Sequence, residues 1–288
     1  MSGLLASLRL RQWPKNLVVL AAVVFSGELV QRSEAIAAVS GLAVFCLLSS
    51  AIYLVNDVID RRVDGLHPLK RSRPIAAGVV SVHKALVTGG LLLIIGLTWA
   101  LRLDGKFAAI AAAYVVLMTV YALVLKHLVV VDVLTISVGF VLRAWAGAAV
   151  VHVRASPWLL TLTLLLATFL SLGKRRAELV HLAEDAHAHR RSLERYSIAA
   201  LDRMIALIAL ATLGLYIVYA ANPHTIARFD RKALLTIPFP VFGMIRYLYL
   251  GYGRAAGSDP SEHLLSDRPL LVCVGLWAVV SVAAIYYF

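Results

Sequence analysis

Charged side chains are scarce in this sequence: Asp, Glu, Lys and Arg make up 15% of its 288 residues, whereas 61% are hydrophobic. Soluble domains are about a quarter charged and about half apolar. The shortage of charge therefore excludes an ordinary soluble domain and indicates a membrane protein. Cysteine is also scarce. Cys46 and Cys273 each lie in an apolar stretch, without the spacing of a disulfide framework or a metal site.

The sequence also lacks the ten-residue alternating pattern of a membrane β-barrel. Because an unpaired backbone is too costly in lipid, helices are the predicted spanning elements. About 20 residues cross the roughly 30 Å of hydrocarbon in a bilayer. We predict an all-α, polytopic membrane protein of about nine transmembrane helices, forming a single integral membrane domain over 1–288. The predicted spans are 14–31, 35–56, 82–102, 106–126, 130–151, 156–173, 197–221, 233–250 and 268–288.

Acidic residues are few: 16 Asp and Glu stand against 28 Lys and Arg, giving a formal net charge of +12. With the N-terminus inside, the inner segments hold twenty of these cations and the outer segments hold seven. The positive-inside rule therefore predicts a cytoplasmic N-terminus. We expect a bilayer and no nucleic acid as partner, because topology accounts for much of the basic excess. A cleavable signal peptide is not expected, since many spans follow the first apolar run.

Two long inner loops, 57–81 and 174–196, are the predicted active-site loops. At the start of the first loop, Asn56, Asp60 and Asp64 recur at every fourth position, with Asp57 beside them. On a helix this spacing places the side chains on one face. Their mutual repulsion calls for a cation, and hard oxygen ligands suit Mg²⁺ bound to substrate phosphates. We predict that Asn56, Asp57, Asp60 and Asp64 bind Mg²⁺, with Mn²⁺ as an alternative ion.

Cations that could bind phosphate follow at several places. Lys70 and Arg73 come after the acidic run, and Lys126 ends the fourth predicted span. Lys174 and Glu178 could also simply pair with each other, being four residues apart. Arg143 lies inside a span, where it either contacts substrate or caps backbone carbonyls. The predicted substrate-binding residues are Lys15, Asn56, Asp64, Lys70, Arg73, Tyr121, Lys126, Arg143, Lys174, Arg175 and Glu178.

The acidic run Asn56-Asp57-x-x-Asp60-x-x-x-Asp64 resembles that of the UbiA superfamily of intramembrane prenyl-group enzymes. Further segments are similar to its decaprenyl-phosphate phosphoribosyltransferase branch, and together they cover nearly the whole chain. The matching segments are Arg11-Gln12-Trp13, Lys15-Asn16, Tyr53-Leu54-Val55-Asn56-Asp57, His67-Pro68 with Lys70, Arg73-Pro74-Ile75-Ala76-Ala77-Gly78, Leu125-Lys126-His127, Arg143-Ala144 with Ala146-Gly147, Gly173-Lys174-Arg175, Ala177-Glu178-Leu179, Ser192-Leu193-Glu194 with Tyr196, Arg246-Tyr247 and Asp267-Arg268.

The resemblance implies a UbiA-like fold in a bacterial inner membrane, with the active site facing the cytoplasm. It implies transfer of 5-phosphoribose from 5-phosphoribosyl 1-diphosphate to a polyprenyl phosphate. The products would be polyprenyl-phosphoryl-5-phosphoribose, a precursor of lipid-linked arabinose for a cell-wall polysaccharide, and diphosphate. The catalytic residues that the resemblance implies are Asp57, Asp60, Lys126 and Lys174. A homo-oligomer is left open.

Two other functions remain as alternatives. The first is a UbiA-type aromatic prenyltransferase acting on 4-hydroxybenzoate. Typical prenyltransferases of the superfamily carry a second Asp-rich motif in the later loop, but this chain has Lys174-Arg175-Arg176-Ala177-Glu178 there. That departure favours the phosphoribosyl donor. The second alternative is an anionic lipid transporter, whose polar sites usually lie near the membrane midplane rather than at one face.

Overall fold

The computed structural model describes residues 3–66, 70–182, 197–252 and 266–286, without the side chains of 181–182 and 228–230. The described residues form helices and turns and contain no β-strand, as predicted for an all-α protein. The α-helices are α1 (Gly3–Ser7), α2 (Ala21–Ser26), α3 (Arg32–Leu66), α4 (Val82–Leu103), α5 (Gly105–Leu123), α6 (Val131–Val150), α7 (Pro157–Leu182), α8 (Ile198–Ala221), α9 (Pro223–Phe229), α10 (Pro238–Tyr252) and α11 (Arg268–Tyr286).

Short 3₁₀ helices complete the described architecture. They are Leu10–Leu20, Glu28–Val30, Leu125–His127 and Asp230–Thr236. The chain divides into two compact units, Met1–Ser156 and Pro157–Phe288. The first unit holds α1 to α6 and the second holds α7 to α11. A single membrane domain over 1–288 stays a prediction.

Eight helical segments among the described residues are long and apolar enough to cross a membrane. The protein is therefore a multi-span membrane protein, and the predicted count of about nine is close. The segments are Arg32–Leu66, Val82–Leu103, Gly105–Leu123, Val131–Val150, Pro157–Val180, Ile198–Ala221, Arg231–Tyr252 and Arg268–Tyr286. They correspond to eight of the nine predicted spans.

The predicted span 14–31 is the one that differs. The chain there forms the 3₁₀ helix Leu10–Leu20 and the short helix α2, and it turns at Gly27 with a φ of 85°. Pro14 lies inside the 3₁₀ helix and has no backbone N–H to donate. A left-handed residue such as Gly27 ends an α-helix. Apolar composition alone therefore overstated the helix at this position.

Polar side chains set the start of three spanning helices. Ser81 accepts a hydrogen bond from the backbone N–H of Lys84 before α4. Asp104 accepts from Phe107 at 2.7 Å before α5, and Ser197 accepts from Ala200 at 3.0 Å before α8. Such caps satisfy N–H groups that have no partner within the helix.

Helix α3 is the element that carries the acidic run. Its 35 residues extend over about 52 Å at 1.5 Å per residue, which is more than the roughly 30 Å of hydrocarbon. Its middle packs in the core of the first unit, where the ring of Phe45 lies 5.9 Å from Phe107 and 5.2 Å from Tyr114. Because α3 continues to Leu66, the residues 56–64 are helical.

Candidate active site

The acidic run lies on the last three turns of α3. Asp57 and Asp64 are buried, at 3% and 4% exposure, whereas Asp60 and Asn56 are half-buried. The continuous helix gives these four residues the shared face that their spacing predicts. Buried carboxylates need charged partners, because an isolated ionised carboxylate is very costly away from water.

Arg73 partners two of these carboxylates. One of its guanidinium nitrogens, Nη1, lies 2.6 Å from Asp64 Oδ2 and 3.4 Å from Asp57 Oδ1. The turn that carries Arg73 is held by backbone hydrogen bonds from Ala77 to Arg73 and from Val80 to Pro74. Ile75 and Val80 pack against Leu54 and Val58 of α3. This apolar contact brings the predicted cation to the acidic face.

Lys126 partners the third carboxylate. It lies on the 3₁₀ turn between α5 and α6, and its Nζ is 2.5 Å from Asp60 Oδ1. The lysine is 2% exposed, and charged side chains are rarely buried so fully unless they are paired. The structure thus brings Lys126 to the acidic run from 66 residues away, which sequence spacing could not have done.

The remaining predicted residues of the first unit are placed as follows. Lys15 is half-buried on the 3₁₀ helix Leu10–Leu20, and Lys70 is half-buried on the turn before Arg73. Tyr121 is half-buried near the end of α5. Residues 67–69 of the predicted loop 57–81 lie outside the described residues.

Arg9 is a residue of the acidic face that no sequence motif indicated. Its guanidinium Nη2 donates a hydrogen bond to Asp57 Oδ1, the same oxygen that Arg73 approaches. The Arg9 guanidinium also lies 5.0 Å from the centroid of the Tyr53 ring. In the sequence, Arg9 was one of several cations before the first apolar run, and only the fold separates it from its neighbours.

Arg143 is buried within the first unit. Its Nε donates to Asn16 Oδ1 at 2.8 Å and its Nη2 donates to the Tyr114 hydroxyl at 2.7 Å. The guanidinium also lies 4.9 Å from the centroid of Phe140. Of the two predicted roles, these contacts favour a structural one between packed helices, with side chains rather than backbone carbonyls as partners.

The residues of the acidic face fit a divalent cation by their chemistry. Asp57 and Asp64 already place oxygens around one cationic nitrogen of Arg73, and Asp60 and Asn56 add oxygens on the same helix face. Hard oxygens of this kind are what Mg²⁺ binds. Within the described ranges, no three His, Cys, Asp or Glu side chains already converge in a metal-binding geometry. Binding of an ion would therefore require these side chains to reorient from their ion pairs.

The second unit carries the other predicted cations near the end of α7. Arg175 is 3% exposed, and its Nη1 lies 2.5 Å from Glu178 Oε2. Glu178 thus pairs at least with Arg175, three residues away, where the sequence offered Lys174 as its partner. Lys174 is half-buried in the same turn. Most of the predicted loop 174–196, from residue 183 onward, lies outside the described residues.

Arg176 holds the ends of three helices of the second unit together. Its Nε lies 2.6 Å from Asp202 Oδ1 on α8, its Nη1 donates to the Gly251 carbonyl on α10, and its guanidinium lies 3.8 Å from the Tyr252 ring centroid. These contacts give it a structural role beside Lys174 and Arg175.

Arg176→Gln is expected to lower the free energy of unfolding by about 1–2 kcal/mol, because it removes an ion pair and a cation–π contact that are partly solvated. Thermal unfolding of the purified protein in detergent measures this loss. Arg203→Gln is the matched control, since Arg203 is exposed on α8, one residue after Asp202. Equal midpoints for the two variants would contradict the structural role.

Comparison with known proteins assigns the class. Residues 16–252 match the UbiA prenyltransferase family, and the chain belongs to this family. It is 38% identical to the decaprenyl-phosphate phosphoribosyltransferase of Mycolicibacterium smegmatis, over 99% of this chain and 93% of that protein. It is 34% identical to the enzyme of the same name from Corynebacterium glutamicum, over 99% of this chain and 87% of the relative.

A solved structure shares the fold. A UbiA homolog from Archaeoglobus fulgidus, bound to GPP and Mg²⁺, aligns with 99% of each chain at a TM-score of 0.76. Sequence identity in this alignment is 19%. At that identity the likeness establishes the UbiA-like fold that the acidic run implied.

Proposed function

We propose that this protein transfers 5-phosphoribose from 5-phosphoribosyl 1-diphosphate to decaprenyl phosphate, or to a related polyprenyl phosphate. The observation that carries the proposal is the identity of 34–38% to decaprenyl-phosphate phosphoribosyltransferases along 99% of the chain. The site chemistry supports it. An acidic helix face lies beside Arg73 and Lys126 in the first unit, and residues 174–176 of the second unit are all cationic.

The reaction forms one bond and breaks another at the anomeric carbon of the ribose. A phosphate oxygen of the lipid attacks this carbon while the bond to the diphosphate breaks, and the electron pair of that bond leaves with the diphosphate. The attacking phosphate is already ionised near neutral pH, so the site needs no strong general base. Its main task is to stabilise negative charge on the leaving group, and fixed cations do this well where water is excluded.

The chain's own residues divide this task. Asn56, Asp57, Asp60 and Asp64 would hold Mg²⁺, which supplies positive charge to the leaving diphosphate when it is bound. Lys126 and Arg73 form ion pairs with these carboxylates. When substrate is bound, their N–H groups would donate hydrogen bonds to its phosphate oxygens. Further substrate contacts in the first unit would come from Lys15, Lys70 and Tyr121. Lys174 and Arg175 would bind a phosphate, with Glu178 orienting Arg175.

The proposal includes the orientation and the place of the protein. The donor is soluble and highly anionic, so it should enter from the basic side of the membrane. The positive-inside rule makes this the cytoplasmic side. We therefore place the protein in a bacterial inner membrane with the acidic face of α3 directed to the cytoplasm. Protease access to the N-terminus, or thiol-reagent access to a cysteine introduced near it, tests this orientation in right-side-out and inverted vesicles.

Transfer itself is tested with the purified full chain in detergent. Labelled 5-phosphoribosyl 1-diphosphate, Mg²⁺ and decaprenyl phosphate are supplied, and label is expected in the lipid phase. Transfer of a prenyl group from a prenyl diphosphate to 4-hydroxybenzoate, with no phosphoribosyl transfer, would overturn the proposal in favour of the aromatic prenyltransferase. Movement of a polyprenyl phosphate across vesicles without any new covalent product would indicate a transporter.

Removal of divalent metal is expected to stop the transfer reaction. Treatment with EDTA should reduce the rate by on the order of 10²-fold or more, because the leaving diphosphate loses its main counter-charge. Addition of Mg²⁺ should restore the rate, and Mn²⁺ should replace it. A rate that persists in excess EDTA would contradict the assigned role of the acidic face.

A further inference from the structure

Arg9 is the cation of the acidic face that no motif indicated. Its side chain lies between Asp57 and the ring of Tyr53, and it remains 24% exposed. A guanidinium has five N–H donors, and its hydrogen bond to Asp57 uses one of them. No other hydrogen bond of the Arg9 side chain is made within the described ranges. The partly exposed guanidinium therefore has further N–H donors with which it could bind a phosphate beside Asp57.

The backbone at Arg9 is also unusual. Its φ of 52° and ψ of 50° place it in the left-handed region, which side chains rarely adopt outside Asn, Asp and His. Arg9 joins α1 to the 3₁₀ helix Leu10–Leu20, so this conformation turns the chain between them. The turn is fixed on both sides by Ser50 of α3, whose hydroxyl donates to the Leu8 carbonyl at 2.9 Å and accepts from Trp13 Nε1 at 3.0 Å.

The 3₁₀ helix is fixed a second time, deeper in the unit. Asn16 donates to Ser49 at 3.0 Å and accepts from Arg143 at 2.8 Å. An arginine inside a membrane protein is costly and persists where it has a function. Its partner Asn16 lies on the same 3₁₀ helix that leads to Arg9. The contacts thus run from Arg143 through Asn16 to the segment that carries Arg9.

Backbone packing fixes the same segment a third time. A Cβ added to Gly147 of α6 would overlap the Val19 carbonyl, so the end of the 3₁₀ helix packs directly on α6. A glycine without such a neighbour is Gly90 of α4, where a Cβ would meet nothing within 4 Å. Gly147→Ala should therefore displace the 3₁₀ helix without any change of charge, and Gly90→Ala is its control.

We propose that Arg9 binds the diphosphate of the donor beside Asp57, and that Arg143 is a positioning residue that fixes Arg9 through Asn16. This inference rests on the proposed function for the identity of the donor. Like Lys126 and Arg73, Arg9 would donate hydrogen bonds to phosphate oxygens beside the acidic face, but it lies on a segment that precedes the spanning helix α3. Arg143 touches no substrate. Its charge serves to hold Asn16, and with it the 3₁₀ helix, at one place on α3 and α6.

Binding of inorganic diphosphate in the presence of Mg²⁺ tests Arg9 without the transfer reaction. Calorimetry on the purified full chain should show that Arg9→Gln weakens diphosphate binding about tenfold or more, the usual effect of losing a charge-assisted hydrogen bond. Arg9→Lys should recover part of the affinity. Arg32→Gln, an exposed arginine at the other end of α3, should leave it within about twofold. Unchanged affinity in Arg9→Gln would overturn the proposal.

The positioning role is tested by combining variants. Asn16→Ala and Gly147→Ala should each weaken diphosphate binding, but should add little in the Arg9→Gln background, because they act through Arg9. Gly90→Ala should have no effect in either background. Arg143→Gln should behave as Asn16→Ala does, since it removes the donor to Asn16. Equal effects of Arg143→Gln with and without Arg9 would show a merely structural role and overturn the assignment of Arg143. Asn16→Ala serves alone if Gly147→Ala does not fold.

The transfer assay separates this inference from the proposed function. Arg9-dependent diphosphate binding in a protein that transfers no phosphoribose would refute the proposed function and leave Arg9 in place. Active transfer in which Arg9→Gln raises only the KM for the polyprenyl phosphate would refute the diphosphate assignment. Active transfer with a raised KM for the phosphoribosyl donor in Arg9→Gln supports both.

Discussion

Asp60→Asn is expected to reduce phosphoribosyl transfer by on the order of 10²–10³-fold while the protein remains folded. Asp60 is the carboxylate of the acidic face that is best placed for this test, because its side chain is 21% exposed whereas Asp57 and Asp64 are buried. The amide keeps the shape and removes the charge that would hold Mg²⁺. The rate of label transfer to the lipid phase measures the loss.

The control for Asp60→Asn removes a carboxylate elsewhere in the same unit. Glu28 lies in the 3₁₀ turn before α3, where its carboxylate accepts a hydrogen bond from the Gln31 side chain. It is distant in sequence from the acidic run. Glu28→Gln should keep the transfer rate within about twofold, as surface substitutions away from a site usually do. Transfer by Asp60→Asn at a comparable rate would remove Asp60 from the catalytic residues. Thermal unfolding of both variants excludes misfolding as the cause.

Asp60→Asn also affects Lys126, the ion-pair partner of Asp60. The lysine is buried, and its ion pair with Asp60 is one contact between the acidic face and the turn that joins α5 to α6. Asp60→Asn leaves the ammonium with a neutral amide oxygen, which still accepts a hydrogen bond but provides no opposite charge. Because a buried ammonium loses its counter-charge, Asp60→Asn is also expected to lower the stability, by about 2–4 kcal/mol once the partial exposure of Asp60 is allowed for. The transfer rate is therefore measured well below the Tm of the variant.

The spanning helices could be predicted from the sequence because lipid imposes one simple requirement on them. A span needs about 20 apolar residues, and its backbone groups must all be paired within a helix. Such a segment can be recognised from its composition alone. The structure differs from the prediction in detail at 14–31, where the chain forms the 3₁₀ helix Leu10–Leu20 and the short helix α2 rather than one long α-helix. There the local backbone chemistry, which was visible in the sequence, outweighed the apolar composition.

The site could be predicted only in part. Asp57, Asp60 and Asp64 share a face because helix periodicity is a local property, and spacing alone gave that result. Arg73 was found by its closeness in sequence. Arg9 was missed because its contact with Asp57 joins residues 48 apart through a left-handed turn. Such a contact depends on how the first segment packs on α3 and α6, and no single-sequence pattern records that packing.

Arg73→Gln is expected to destabilise the protein strongly. It removes the cation that lies 2.6 Å from the buried carboxylate of Asp64 and 3.4 Å from that of Asp57. Loss of one partner of a buried ion pair costs about 3–5 kcal/mol, and the partial exposure of Arg73 reduces this to about 2–3 kcal/mol. The Tm in detergent should fall by about 5–10 °C. Arg71→Gln, an exposed arginine two residues earlier, is the control and should leave the Tm nearly unchanged.

The replacement Arg73→Lys should recover most of this stability. A single nitrogen of Arg73, Nη1, makes both contacts, so one ammonium group can reach both carboxylates, while Arg9 supplies a second positive charge beside Asp57. Lysine provides such a charge but lacks the planar fork that binds phosphate through two N–H groups. Arg73→Lys is therefore expected to keep the Tm within about 3 °C and to transfer phosphoribose more slowly than the unmodified protein. Full activity in Arg73→Lys would limit Arg73 to charge neutralisation.

The double variant Arg73→Gln/Asp64→Asn separates stability from catalysis. Removing both members of a buried pair costs much less than removing one, because no uncompensated charge remains. The Tm of the double variant should therefore lie above that of Arg73→Gln. Transfer should stay at background, because the acidic face has lost a metal ligand and a phosphate-binding cation. A double variant no more stable than Arg73→Gln would show that Arg73 does not neutralise Asp64 in the folded protein. A double variant that regains transfer would remove both residues from the proposed site.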